Sequence, residues 1–209
     1  MAKRPDTDWR IITAALKLGA EEGWRRVTLA GIAKAAKIPL DKLSARFPDK
    51  RAILDGFAAR INQQVLDAAP DDGKTVRDRL FDLIMCRFDA LEAHKEPLRA
   101  MLPNSHACAA GGLTKADPAL AIYGLCAAQR AMKLTLETAG VSTAGLFGAV
   151  KIKALMLVYL NALRIWLGDE TGTMDKVMAQ LDKSLARLES LAGSFLARRP
   201  GDGEAQPAD

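Results

Sequence analysis

Charged side chains are unevenly spread along the 209 residues. Residues 1–66 hold 13 Lys or Arg against 7 Asp or Glu, whereas residues 67–209 hold 17 against 18. The entire positive excess behind the net charge of +5 therefore sits in the first third. A basic amino-terminal module on a neutral body suits polyanion binding, because neutralising phosphates releases their counterions. Chance clustering on a solvated surface is the alternative.

Other candidate chemistry is thin. His106 and Cys108 are two possible metal ligands, but no second pair matches them, so no metal site is expected. The sequence has no G-x-S-x-G, no Gly-rich phosphate loop and no H-E-x-x-H, and its carboxylates fall mostly on polar helix faces. No enzymatic activity and no cofactor are expected. Tyr123, Met132, Met156, Tyr159 and Trp166 could line a pocket for a small apolar ligand, although aromatic and Met residues at helical spacing also simply build cores. Lys133, Lys151 or Lys153 could pair with an acidic ligand there, or be solvated.

The elements that must position these groups are helices. The chain is 49% hydrophobic and rich in Ala and Leu, and its apolar residues recur at three- and four-residue steps, which predicts an all-α protein with a substantial core. A first helix is predicted from about Asp8 to Glu22, stopped by Gly23, with Trp9 and Trp24 packing at its ends. Thr28 can N-cap a second, whose Leu29, Ile32, Ala33 and Ala36 follow the i, i+3, i+4, i+7 rule. After a break at Lys37-Ile38-Pro39, Pro39 fits the first turn of a third helix. Leu40, Leu43 and Phe47 should face its core, and Asp41, Lys42, Ser44, Ala45 and Arg46 solvent. This is the outline of a helix-turn-helix, a unit that lays its second helix in the DNA major groove.

A fourth helix from about Asp49 carries Ile53, Leu54, Phe57, Ile61 and Val65 and connects the head to the body, reaching a Pro70-Asp71-Asp72-Gly73 break. The expected division is a head at 1–50, a helical body at 51–199 and a disordered tail at 200–209. In the body, Val76, Leu80, Ile84, Phe88 and Leu91 mark a helix ending near His94. A short helix opened by Pro97 and closed before Pro103, a loop over 103–118, and helices at about 118–139, 143–168 and 174–197 follow. The helix at 143–168 is apolar almost all round and must be covered on most sides. The last has a stripe of Val177, Leu181, Leu185, Leu188, Ala192 and Phe195. These two helices could pair with their copies in a homodimer or pack within the chain.

The run Ala154 to Leu163 is short for a membrane span, and no secretory signal is evident, so the expected location is cytoplasmic. Cys86, Cys108 and Cys126, odd in number and widely spaced, are expected as reduced thiols in the core.

With its elements in this order, the chain resembles the TetR family of bacterial regulators. The resemblance rests on Ile11 to Leu54: an Ala-rich first helix with Gly23, Val27-Thr28-Leu29, Ile32-Ala33, Ala35-Ala36, then Leu43, Phe47, Lys50 and Ile53-Leu54. It implies a TetR-like fold, in which a three-helix DNA-binding head joins a ligand-binding and dimerisation body. It further implies double-stranded DNA as a partner and a repressor released by a small apolar ligand. Thr28 and Lys50 would meet phosphates at helix starts, and Lys42, Ser44 and Arg46 would face the groove, with Lys37 in the turn. The chain departs from the family pattern where a glycine is usual (Lys37), where Ser or Thr is usual (Pro39) and where Tyr is usual (Ser44), and Asp41 adds a negative charge. It is also similar to TetR-fold accessory proteins of ubiquinone biosynthesis, through Gly23-Trp24, Leu43 with Phe47-Pro48, and the Leu163-Trp166 helix. That resemblance implies isoprenoid lipid binding without a reading head. A membrane contact through Arg187, Arg198 and Arg199 belongs to it.

Overall fold

A computed structural model describes residues 6–68, 74–102 and 117–197, with 192–197 by backbone alone. The Pro70–Gly73 break, His106, Cys108, most of the 103–118 loop, Arg198, Arg199 and the tail lie outside the described residues, as do the side chains of Ala192 and Phe195. The fold is all-α. The helices are α1 (Thr7–Glu22), α2 (Leu29–Ala36), α3 (Leu40–Arg46), α4 (Lys50–Asp67), α5 (Val76–Glu92), α6 (Lys95–Met101), α7 (Pro118–Thr138), α8 (Gly145–Gly168) and α9 (Asp175–Ala197).

α1, α2 and α4 each start where the sequence supplies a capping side chain, whereas α3 has none. Asp6 accepts from the Asp8 N–H at 3.1 Å, Thr28 from Gly31 at 3.1 Å, and Asp49 from Ala52 at 2.7 Å. Such caps satisfy N–H groups that the first turn cannot, at roughly 1 kcal/mol each. Gly23 closes α1 at φ 84°, a left-handed conformation that glycine adopts freely. Lys37 closes α2 at φ 55°, where a side chain costs roughly 1–2 kcal/mol. Arg10 reaches across from α1 to donate to the Ala36 carbonyl at 2.7 Å, holding that strained end.

Two expectations for α3 change. Pro39 is its N-cap residue, at φ −57° and ψ 143°, instead of standing in the first turn. Leu40 is 47% exposed, not part of the core. The seven-residue α3 packs chiefly on α2, so it buries Leu43 within its length and Phe47 just beyond its end, and has no neighbour over Leu40.

The head joins the body along two seams. α1 lies closely on α6, because a Cβ at Gly19 would come within 2.8 Å of the Met101 sulfur. α4 runs on into the body against α5 and α7, burying Ile53, Leu54, Phe57, Ile61 and Val65. At the joint, His94 stands edge-on to both Trp9 and Phe57, with centroids 5.1 and 5.3 Å away. Trp24 is buried at the far end of α1.

The body core centres on Phe88, Tyr159 and Trp166, whose indole N–H donates to Glu92 at 2.6 Å. On α5, Ile84, Phe88 and Leu91 are buried, but Val76 at its start is exposed. α8 is covered on one side only: Ile152, Leu155, Tyr159, Ala162 and Trp166 are buried, while Leu146, Phe147, Val150 and Leu157 are 58–81% exposed. By length and a mean hydropathy of 1.6 it could cross a membrane, yet it packs on α7 and α9 and carries Lys151, Lys153 and Arg164. The α9 stripe turns inward, with Val177, Leu181 and Leu185 fully buried against its own chain. Cys86 is half-buried, and Cys126 is exposed instead of in the core; both are free thiols.

Candidate nucleic-acid interface and ligand cavity

The solvent face of α3 carries Leu40, Asp41, Lys42, Ser44, Ala45 and Arg46. Three of the polar groups expected to meet DNA are engaged inside the head. The Ser44 hydroxyl donates back to the Asp41 carbonyl at 3.1 Å. Arg46 pairs with Asp8 of α1 at 2.5 Å, both side chains about half exposed. The Lys50 ammonium donates to the Trp24 carbonyl at 2.8 Å and sits 5.4 Å from that indole's centroid. Lys37 and Lys42 are exposed and form no ion pair among the described residues. Thr28 is exposed, its hydroxyl oxygen occupied by the Gly31 N–H. An exposed ion pair contributes about 0–1 kcal/mol, so Arg46 can exchange Asp8 for a phosphate or base edge at little cost.

The second feature is a cavity of about 870 Å³ bounded by α1 and α4–α8. Its walls are mainly apolar, with Leu54, Phe57 and Ile61 from α4 facing Leu120, Ala128 and Leu163 of α7 and α8. That size and lining suit an apolar organic ligand. Its charged lining residues are Arg87, Arg130 and Arg164, and no Asp or Glu lines it among the described residues. Arg87 is 4% exposed; its Nη1 donates to Asn62 at 2.9 Å, while Nε and Nη2 are buried without a partner. Burial pushes Arg87 below its ordinary value and the Tyr159 phenol above its own. At the rim, Tyr123 donates to Asp55 of α4 at 3.0 Å and Arg130 reaches the same oxygen at 3.2 Å. Burial first, then that carboxylate, holds the Tyr123 phenol above the usual range.

Residues 11–56 match the model of the bacterial regulatory proteins, tetR family. The chain carries a TetR-family head. The fold beyond it is TetR-like as well. The TetR transcriptional regulator of Nitrosomonas europaea superposes with a TM-score of 0.62 at 21% identity, covering 88% of this chain and 98% of that one. A TetR regulator of Rhodococcus sp. RHA1 gives 0.57 at 15% identity, over 87% and 94%. A tetR-family regulator of Streptomyces coelicolor gives 0.56 at 18% identity, over 94% and 91%. A search by sequence among curated proteins returns no significant match.

Within this TetR fold, the cavity brings together Tyr123 and Tyr159 of the five aromatic and Met residues expected to line it. Met132 and Trp166 are fully buried core instead, and Met156 lies outside the lining. Lys133, Lys151 and Lys153 are all solvent-exposed. The cations that line the cavity are instead Arg87, Arg130 and Arg164, of which Arg87 is the buried one. Its signal was a charge standing on the apolar stripe of α5, at i+3 from Ile84 and i−4 from Leu91.

Proposed function

We propose that this protein is a homodimeric transcriptional repressor that binds operator DNA through α3 and is released by a small apolar ligand held in the body cavity. The observation that carries the reading is the α2–α3 unit, with its buried Ile32, Ala33, Ala36 and Leu43 and its open, cation-bearing α3 face. Lys42 and Arg46 would contact the groove, Leu40 offers an apolar surface of the kind that meets a thymine methyl, and Lys37, Thr28 and Lys50 would lie toward phosphates. These cations belong to the basic third of a chain whose remainder is neutral.

The dimer would form on the open face of α8, where Leu146, Val150 and Leu157 share one side of the helix. The inward stripe of α9 leaves it only its outer positions, such as Met178 and Leu191, for that contact. Two heads fixed in this way would reach successive major grooves. Coupling would run through α4, which starts in the head at Lys50 and presents Leu54, Phe57, Ile61 and Asn62 to the cavity. A ligand favouring one placement of α4 would shift the population of head spacings away from the DNA-bound one. The protein would act in the cytoplasm, without catalysis.

A nuclease-protection footprint on DNA upstream of the protein's own gene tests the reading. Two protected half-sites about one or two helical turns apart are expected. Protection spread evenly over the fragment would contradict sequence-specific regulation.

A further inference from the structure

Among the described residues, the buried side-chain nitrogens without a partner belong to Arg87. It is 4% exposed, and the nitrogens are Nε and Nη2. These two nitrogens share one edge of the guanidinium, the edge that offers two parallel N–H bonds to a planar two-oxygen anion. The remaining arm is fixed by Asn62, so the fork is held in place by α4 before anything binds. A buried cation without a counter-charge is costly, and such groups mark functional sites where a ligand supplies what the chain withholds.

The cavity around it agrees in charge. Arg130, paired with Asp55 at the rim, and Arg164 line the same space, no carboxylate is among its described lining residues, and the remaining wall is largely aliphatic. Tyr159, also buried and lining the cavity, adds a phenol beside it. We infer that the cavity takes an apolar monocarboxylate, with its carboxylate on the Nε–Nη2 edge of Arg87 and its hydrocarbon body against α4, α7 and α8. This rests on the reading of the cavity as the ligand site and names the ligand's class. Because Asn62 belongs to α4, a carboxylate on Arg87 would act next to the helix that carries the head.

The test uses the full-length protein and two probes of the same shape, decanoate and its neutral amide, with binding followed by calorimetry at neutral pH. Decanoate is expected to bind at least tenfold tighter than decanamide, a preference of about 1.4 kcal/mol. Arg87→Met should abolish the preference, bringing decanoate to the affinity of decanamide in that variant. The comparison in the unaltered protein stands even if the variant fails to fold. Equal affinities for the two probes in that protein would overturn the anion inference and leave the cavity as an apolar ligand site. A preference that survives Arg87→Met would equally overturn Arg87 as the receiver. Failure of both probes to bind up to their solubility would overturn the inference together with the ligand-site reading beneath it.

Discussion

Arg46 in the head and Arg87 in the body are the same side chain in opposite surroundings. Arg46 is half exposed and paired with Asp8, whereas Arg87 is buried with two of its nitrogens unpaired. The exposed pair can dissolve for about 0–1 kcal/mol, so the head can trade internal partners for DNA without losing its fold. The buried arginine has no such freedom, since its Nε and Nη2 have no partner among the described residues to exchange. The Arg46 charge is thus paired and exchangeable, whereas the Arg87 charge is fixed on Asn62 with one edge unpartnered among the described residues.

The largest way to break this contrast is to separate the two copies that would share the heads. Replacing Val150 and Leu157 on the open face of α8 by Asp should give a monomer by analytical ultracentrifugation and reduce operator affinity by two orders of magnitude or more, since one head alone reads half a site. An unchanged dimer would place the interface elsewhere. Next in size, Arg46→Ala should weaken operator binding by ~1–3 kcal/mol if the guanidinium meets a base edge. Asp8→Asn, which removes the charge that pairs Arg46, should tighten it modestly. If both variants bind as the parent does, Arg46 is a structural ion pair and nothing more.

Smaller effects sharpen the picture of the strained turn and the joint. Lys37→Gly should raise thermal stability by about 0.5–1 kcal/mol by relieving the left-handed backbone, yet lower DNA affinity by removing an open cation. Loss of stability instead would show that the Lys37 side chain holds the turn. His94 gives the least. Burial sets its folded value below the ordinary 6.5, so the unfolded chain takes the proton first as pH falls. Its contribution is fully present above about pH 6.5 and declines below it, by less than ~1.4 kcal/mol per pH unit. His94→Phe should flatten that slope in chemical denaturation at pH 5–7.

The head was largely legible from sequence because its signals are local. Thr28 and Asp49 cap their own helices, Gly23 stops one, and the stripe of Ile32, Ala33 and Ala36 needs only helical periodicity to be read. Leu40 was misread because exposure there depends on what packs against α3, and α2 covers just one side of it. The body was legible as helices but not as a site. The inward turn of the α9 stripe, the open face of α8 and the convergence of Asn62 with Arg87 all depend on how helices distant in sequence meet. Aromatic and Met residues at helical spacing are ambiguous between core and ligand contact, and Trp166 and Met132 fill the core at 0% exposure. Charge on an apolar stripe was the better signal.

The central claim is that α3 still reads DNA despite Pro39, Asp41 and a self-bonded Ser44. Fluorescence anisotropy on a duplex from the footprinted region and on its scrambled counterpart, across a salt series, tests it most directly. A preference of at least about 10³-fold at physiological salt is expected, with both duplexes weakening as salt rises. Equal affinity for the two sequences at every salt concentration would contradict it.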